Sequence, residues 1–294
     1  MIKYTYYIHL DNCQFLYKYI SRLFRLDRIC ITYRQHHIKM VLSMDRWVGK
    51  VAIVTGASSG IGAAIADALV EKGLIVLGVA RRSERVEERA KQLSGKKGKL
   101  HAIKADFAKE EDILTVFKWA KDNLGPVHIL INNAGKGSNS NLTEGKTEEW
   151  KSIFDLNVLG LCIATREAVK VMKENKINGH IIHVNSVLGH KIISAPNLNV
   201  YPASKFAVTA LTETLRQELN HQGLKIKITS VSPGMVESEM TTLNPNLTPD
   251  RQAMFEKMPS LKSEDIADGV VYALSTPEHV QVHELTIKPV GEGF

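Results

Sequence analysis

Val51-Ala52-Ile53-Val54-Thr55-Gly56-Ala57-Ser58-Ser59-Gly60-Ile61-Gly62 joins a run of apolar and β-branched residues to three glycines and then to a helical pattern over residues 60–72. The unbroken run predicts a short strand buried on both faces. The glycines fall where that strand turns into a helix. Each missing side chain has a use: a tight turn, close approach of a pyrophosphate, and close packing of helix on strand. The helix start then offers free N–H groups and the positive end of the helix dipole to an anion. The spacing is G-x-x-x-G-x-G, not the commoner G-x-G-x-x-G. Gly56, Ser58, Ser59, Gly60, Ile61 and Gly62 are therefore the candidate phosphate-binding turn of a dinucleotide site.

Working outward, short β-branched runs alternate with longer helical patterns as far as the C-terminus. Strands are predicted at Val51 to Thr55, Ile75 to Val79, Leu100 to Lys104, His128 to Asn132, His180 to Asn185, Lys225 to Val231 and Val282 to Ile287. Helices are predicted near 60–72, 84–94, 109–123, 148–175, 202–221 and 263–275. This alternation is the mark of an α/β fold. Residues 44–294 are expected to form one doubly wound, Rossmann-type domain, a seven-stranded parallel sheet flanked by helices on both faces. No linker, repeat or low-complexity stretch divides it.

The formal charge of +7 is unevenly placed. Residues 1–43 carry seven Lys/Arg against Asp11 and Asp27, so +2 is left for the other 251 residues. That balance excludes a nucleic-acid surface on the main body. The first 43 residues hold six of the eight tyrosines and three histidines. They read as a basic, aromatic-rich N-terminal extension, expected to be a poorly ordered tail or the product of an upstream start. The other reading is a basic amphipathic helix from Phe15 to Leu26 suited to a membrane surface. Cys13, Cys30 and Cys162 are too few and scattered for a disulfide framework or a zinc site. With no transmembrane segment and no secretion signal, a cytoplasmic protein is expected.

Tyr201 and Lys205 are four residues apart on a predicted helix and share a face. An ammonium there favours the ionised phenol and makes it usable as an acid or base near neutral pH. The second predicted strand ends Gly78-Val79-Ala80-Arg81-Arg82. An NAD site places a carboxylate there for the ribose 2′-hydroxyl. An alanine followed by two guanidinium groups favours a 2′-phosphate instead. His180, His183 and His190 tempt a metal reading, but His180 and His183 face opposite sides of a strand and no carboxylate or cysteine completes a set, so no metal is expected. His190 is expected to shape the substrate pocket or its rim. Met235 to Lys262 reads as a lid, with Met235, Met240, Met254, Phe255 and Met258 either an adaptable apolar wall or ordinary core.

Taken in order, Thr55 to Gly62, Asn132-Asn133-Ala134-Gly135, Tyr201 to Lys205 and Pro233-Gly234 resemble the motifs of the short-chain dehydrogenase/reductase family, from about Gly49 to Lys288. Gly189-His190 and the run Lys205 to Glu213 resemble its branch of insect NADP-dependent farnesol dehydrogenases and vertebrate family member 11 keto-reductases. The resemblance implies that Tyr201 is the general acid/base and that Lys205 lowers its pKa and holds the nicotinamide ribose. It implies that Ser186 hydrogen-bonds the reacting oxygen and that Asn157 holds a water linking Lys205 to solvent. Asn185 stands where the family has a second serine, and the 15-residue gap from Ser186 to Tyr201 is longer than usual, which leaves Ser194 as an alternative. Asp106 and Phe107 would lie by the adenine, and Asn133, Ala134, Gly135, Pro233, Gly234 and Val236 along the cofactor. Asn132 is either structural or in contact.

The activity implied is NADP(H)-dependent hydride transfer to or from the carbon of a hydrophobic alcohol or ketone, an isoprenoid alcohol such as farnesol first. Keto-steroid or general carbonyl reduction, and a silent nucleotide-binding scaffold, are the alternatives. A homodimer or homotetramer is implied, with Ile153, Leu156, Leu161, Leu211 and Leu215 as the buried seam.

Overall fold

A computed structural model describes residues 42–137, 140–241 and 249–293. The basic stretch over residues 1–41 lies outside them. β1 (Val51–Thr55), β2 (Ile75–Ala80), β3 (Lys99–Lys104), β4 (Val127–Asn132), β5 (His180–Val184), β6 (Lys227–Pro233) and β7 (Glu284–Ile287) form one sheet in the order β3-β2-β1-β4-β5-β6-β7. Every pairing is parallel. The order reverses between β1 and β4, and in such sheets the crevice beyond the strands' carboxyl ends at the reversal is where ligands bind.

The helices are α1 (Gly60–Glu71), α2 (Ser83–Gln92), α3 (Glu110–Asn123), α4 (Thr147–Phe154), α5 (Leu161–Glu174), α6 (Tyr201–His221), α7 (Pro249–Glu256) and α8 (Ser263–Ser275). Side chains alternate across β1: Ala52 and Val54 join one core with Ile65 and Leu69 of α1 and Val270 and Leu274 of α8. Val51 and Ile53 join the other with Val116 and Phe117 of α3, Ala168 and Met172 of α5 and Leu219 of α6. The period of two in an extended chain thus supplies both helical layers from one strand. Among the described residues, no helix is long and apolar enough to cross a membrane.

Three expectations are corrected. The single helix expected over 148–175 is divided by a π-helical turn at Asp155–Gly160. The helix there lies against the backbone after β3, and a Cβ on Gly160 would stand 2.0 Å from the Phe107 carbonyl oxygen. α7 falls inside the segment read only as a lid, because an eight-residue helix carries little periodic signal. Of the proposed seam, Ile153 and Leu161 are buried in their own subunit, whereas Phe154, Leu159 and Phe206 are the exposed apolar side chains of that region. Residue spacing marks a helix's apolar positions without saying which of two apolar faces meets the sheet.

Candidate active site

The glycine turn is held by the residues that follow β4. Gly56 has φ +70°, a left-handed conformation that costs glycine little. Asn133 Nδ2 donates to the Thr55 carbonyl at 2.8 Å and the Gly56 carbonyl at 3.4 Å, while Asn133 N and Ala134 N donate to Thr55 Oγ1 at 2.9 and 2.8 Å. A Cβ on Gly62 would lie 2.3 Å from both Asn133 Nδ2 and the Gly56 carbonyl oxygen, so only glycine fits there. Asn133 therefore holds the turn, and Asn132 is structural: it is buried and donates to Thr165 Oγ1 at 3.0 Å.

From this turn a cleft of about 460 Å³ runs across the carboxyl ends of β1, β2 and β4. Gly56, Ser58, Ser59, Gly60, Ile61 and Gly62 line it, together with Arg81, Arg82, Asp106, Phe107, Asn133, Ala134, Gly135, Tyr201 and Lys205. No side chain caps the start of α1, so its first N–H groups remain available at the cleft. The end of β2 carries no acid. An alanine there, two guanidinium groups beside it and an uncapped helix start fit a phosphorylated dinucleotide. Arg81 and Arg82 differ in role: Arg82 hydrogen-bonds Ser59 Oγ at 3.3 Å and pairs with Glu239 at 2.5 Å, and Arg85 joins Glu239 at 2.6 Å. The charge pattern at residues 80–82 did not reach as far as Arg85, one helical turn on, and nothing local marks Glu239, 154 residues further along the chain.

A second, apolar pocket of about 160 Å³ opens beside the cleft and shares Ile61, Gly137, Asn185, Tyr201, Ser238 and Met240 with it. Leu188, Ile193, Leu198, Met235, Phe255 and Met258 form its greasy lining. Pro233, Gly234 and Val236, expected along the cofactor, line this pocket, and the chain leaving β6 pairs Val236 with Leu261 just ahead of α8. The Met254 side chain lies outside the described residues. His190 is not at the pocket: its Nε2 meets Ser232 Oγ at 2.9 Å and Glu284 Oε1 at 3.4 Å. Ser194 belongs to an open surface depression with Lys191 and Lys257.

Ser186, Tyr201 and Lys205 meet where cleft and pocket join. Ser186 stands beside Tyr201, close enough to act against the rise of its phenol pKa, and Ser186 Oγ accepts from Leu188 N at 3.1 Å. The long loop between β5 and α6 thus keeps the serine at the strand end. Lys205 is buried; its Nζ donates to the Val184 carbonyl at 2.9 Å and sits 5.8 Å from the Tyr201 ring centroid. Burial lowers the Lys205 ammonium to about 8. Burial also pushes the Tyr201 phenol up to about 12, against a smaller lowering by Ser186. Desolvation of the phenol thus works against the lowering expected from the Tyr–Lys spacing. Asn157 stands in the π turn, accepting from Lys136 N at 2.9 Å and donating to the Lys136 carbonyl at 3.0 Å and Ser204 Oγ at 3.1 Å. Ser204, unmarked in the sequence reading, in turn donates to the Tyr201 carbonyl at 2.7 Å and so ties Asn157 to the start of α6.

Residues 50–247 match the family described as short chain dehydrogenase. A farnesol dehydrogenase of Aedes aegypti is 50% identical over 253 residues, 85% of this chain and 100% of that protein. The human dehydrogenase/reductase SDR family member 11 is 44% identical over 250 residues, 84% of this chain and 96% of that one. Among solved structures, an alcohol dehydrogenase of the archaeon Thermococcus sibiricus complexed with 5-hydroxy-NADP superposes with a TM-score of 0.72 at 28% identity, covering 82% of this chain and 97% of that one. Fold, motif order and sequence identity agree, and the chain belongs to the short-chain dehydrogenase/reductase family of oxidoreductases.

Proposed function

We propose that this protein is an NADP(H)-dependent oxidoreductase that interconverts a hydrophobic alcohol and its carbonyl compound, with an isoprenoid alcohol such as farnesol as the first substrate class. The observation that carries the reading is that Ser186, Tyr201 and Lys205 meet at the junction of a polar, cation-lined cleft and an apolar pocket. The insect relative's activity supports the choice of farnesol. The acid-free end of β2 supports NADP over NAD.

When bound, the nicotinamide supplies or takes up the hydride. Tyr201 acts on the substrate oxygen: in reduction its O–H proton passes to the carbonyl oxygen, and in oxidation the phenolate takes the proton of the alcohol. Ser186 hydrogen-bonds the same oxygen and fixes the carbon toward the cleft. Lys205 brings positive charge beside the phenolate as it forms. Asn157, through Lys136 and Ser204, fixes the start of α6 on which Tyr201 stands. The Met235, Phe255 and Met258 wall excludes water and accommodates a flexible hydrocarbon. A phenol raised to about 12 rests in its protonated form, the form that donates to a carbonyl oxygen, and a keto-steroid or general carbonyl reductase is the second reading. Assembly as a homodimer or homotetramer in the cytoplasm belongs to the same proposal.

The test is a screen of NADPH oxidation and NADP reduction with isoprenoid alcohols and aldehydes, steroids and short ketones. Turnover of farnesol above the other classes supports the first reading, and preference for ring ketones the second. Absence of turnover with every pair would overturn both and leave a nucleotide-binding scaffold.

A further inference from the structure

Ser238, Glu239 and Met240 follow β6 and bridge the nucleotide cleft. On one bank the Ser238 Cβ is 3.5 Å from where a Cβ on Gly60 would stand. On the other, Met240 Cγ is 3.7 Å from the corresponding point on Gly137. From this bridge the Glu239 carboxylate reaches the end of the cleft beside β2. Its Oε2 accepts from Arg82 Nη2 at 2.5 Å and from Ser59 Oγ at 3.1 Å, and its Oε1 accepts from Arg85 Nη1 at 2.6 Å. Ser59, Arg82 and Glu239 line the cleft with Ala80, where a carboxylate for the ribose would otherwise stand, and Arg85 follows Arg82 on the next helical turn. Arg82 first, and then Arg85, hold the Glu239 carboxyl down to about 2, so it is ionised throughout the neutral range.

We propose that Glu239 is a built-in competitor for the 2′-phosphate of the nucleotide, tying the chain after β6 across the cleft until that phosphate takes its place among Ser59, Arg82 and Arg85. The inference rests on the NADP(H) reading above. A phosphate monoester brings a charge of about −1.5 to −2 and three acceptor oxygens, against one charge and two oxygens for the carboxylate. The side chains of Arg82, Arg85 and Glu239 are 44%, 44% and 41% exposed, so the ion pairs are solvent-screened and the carboxylate yields to the better anion. A 2′-hydroxyl carries no charge and leaves Glu239 in place. Ser238, Met240 and Thr241 also wall the apolar pocket. Displacing Glu239 therefore loosens one side of the substrate site, and by linkage substrate and 2′-phosphate alter each other's affinity.

The test is calorimetric titration of the wild-type protein and Glu239→Gln with adenosine 2′,5′-bisphosphate, and with adenosine 5′-monophosphate as the control lacking a 2′-phosphate. Loss of the competing charge should tighten the bisphosphate by about 3- to 10-fold and leave the monophosphate essentially unchanged. In the wild type, the bisphosphate and not the monophosphate should raise hydrogen exchange at residues 235–241, whereas in Glu239→Gln exchange there should already be high. Equal or weaker bisphosphate binding by the variant would overturn the competition while leaving the NADP reading intact. Selective loss of the monophosphate would overturn it and make Glu239 a ribose-hydroxyl acceptor. A wild-type protein with no preference for the bisphosphate would overturn both the competition and the NADP reading.

Discussion

The Lys205 ammonium stands 5.8 Å from the centroid of the Tyr201 ring and is bonded to the Val184 carbonyl at 2.9 Å, so the pair shares a helix face without touching. Their arrangement leaves the proton on Tyr201, where a general acid needs it. Tyr201→Phe removes only that oxygen. Turnover should fall by about 10² or more while NADPH binding, followed by fluorescence titration, is retained. Near-wild-type kcat in the variant would remove Tyr201 from the chemistry.

Cofactor choice should reside in Ala80 and Arg82. The unmodified protein is expected to favour NADP over NAD by about ten- to a hundredfold in kcat/KM, the scale of one charge-assisted contact. Ala80→Asp with Arg82→Ala removes the attraction and supplies an acceptor for a free 2′-hydroxyl, so the ratio should invert. Steady-state kinetics with both nucleotides decides this, and an unchanged ratio would shift the role to Arg81 or Arg85.

Gly62→Ala should damage the fold at the glycine turn. The added methyl would stand 2.3 Å from the Gly56 carbonyl oxygen and from Asn133 Nδ2, and backbone cannot move aside as a flexible side chain can. A loss of about 1–3 kcal/mol in urea-unfolding free energy is expected, with weaker nucleotide binding. Gly125→Ala meets no nearby atom but occupies φ +101°, so it separates backbone strain from crowding.

His183 lies buried between Thr165 and Thr212, with burial and then Lys205 lowering it to about 3. The native imidazole is neutral, and the unfolded one takes a proton below about pH 6.5. Its contribution is therefore intact above 6.5 and lost progressively as pH falls toward 3, because the unfolded chain binds the extra proton. His180, also lowered, acts in the same direction. Melting temperature should drop between about pH 7.5 and pH 5, and by less in His183→Gln.

Phe154, Leu159 and Phe206 are exposed to 38%, 53% and 41% in the single chain. Covering them is the expected basis of self-association. Light scattering should give a dimer or tetramer, and Leu159→Glu with Phe206→Glu should shift it toward monomer. A wild-type monomer at about micromolar concentration, where a stable interface of this kind remains associated, would count against the assembly.

Local rules sufficed for the sheet. The run from Val51 to Thr55, the glycines at 56, 60 and 62 and the alternation after them carried strand count, parallel direction and the place of the nucleotide turn, because chain stiffness, side-chain period and glycine's freedom act over a few residues. The same rules placed Tyr201 and Lys205 on one helix face. They did not set the state of the phenol, which depends on how deeply the fold desolvates it and on Ser186 arriving from β5. Nor did they reveal that Asn157 sits in a π turn beside Gly135, that Pro233 and Val236 line the apolar pocket, or that Glu239 reaches Arg82 and Arg85. The sequence by itself determined the elements, their order and the chemical groups available, since these follow from neighbours along the chain. Distances between groups 15 to 157 residues apart, and the desolvation that fixes their charge, came from packing of the sheet against its two helical layers, which no local pattern encodes.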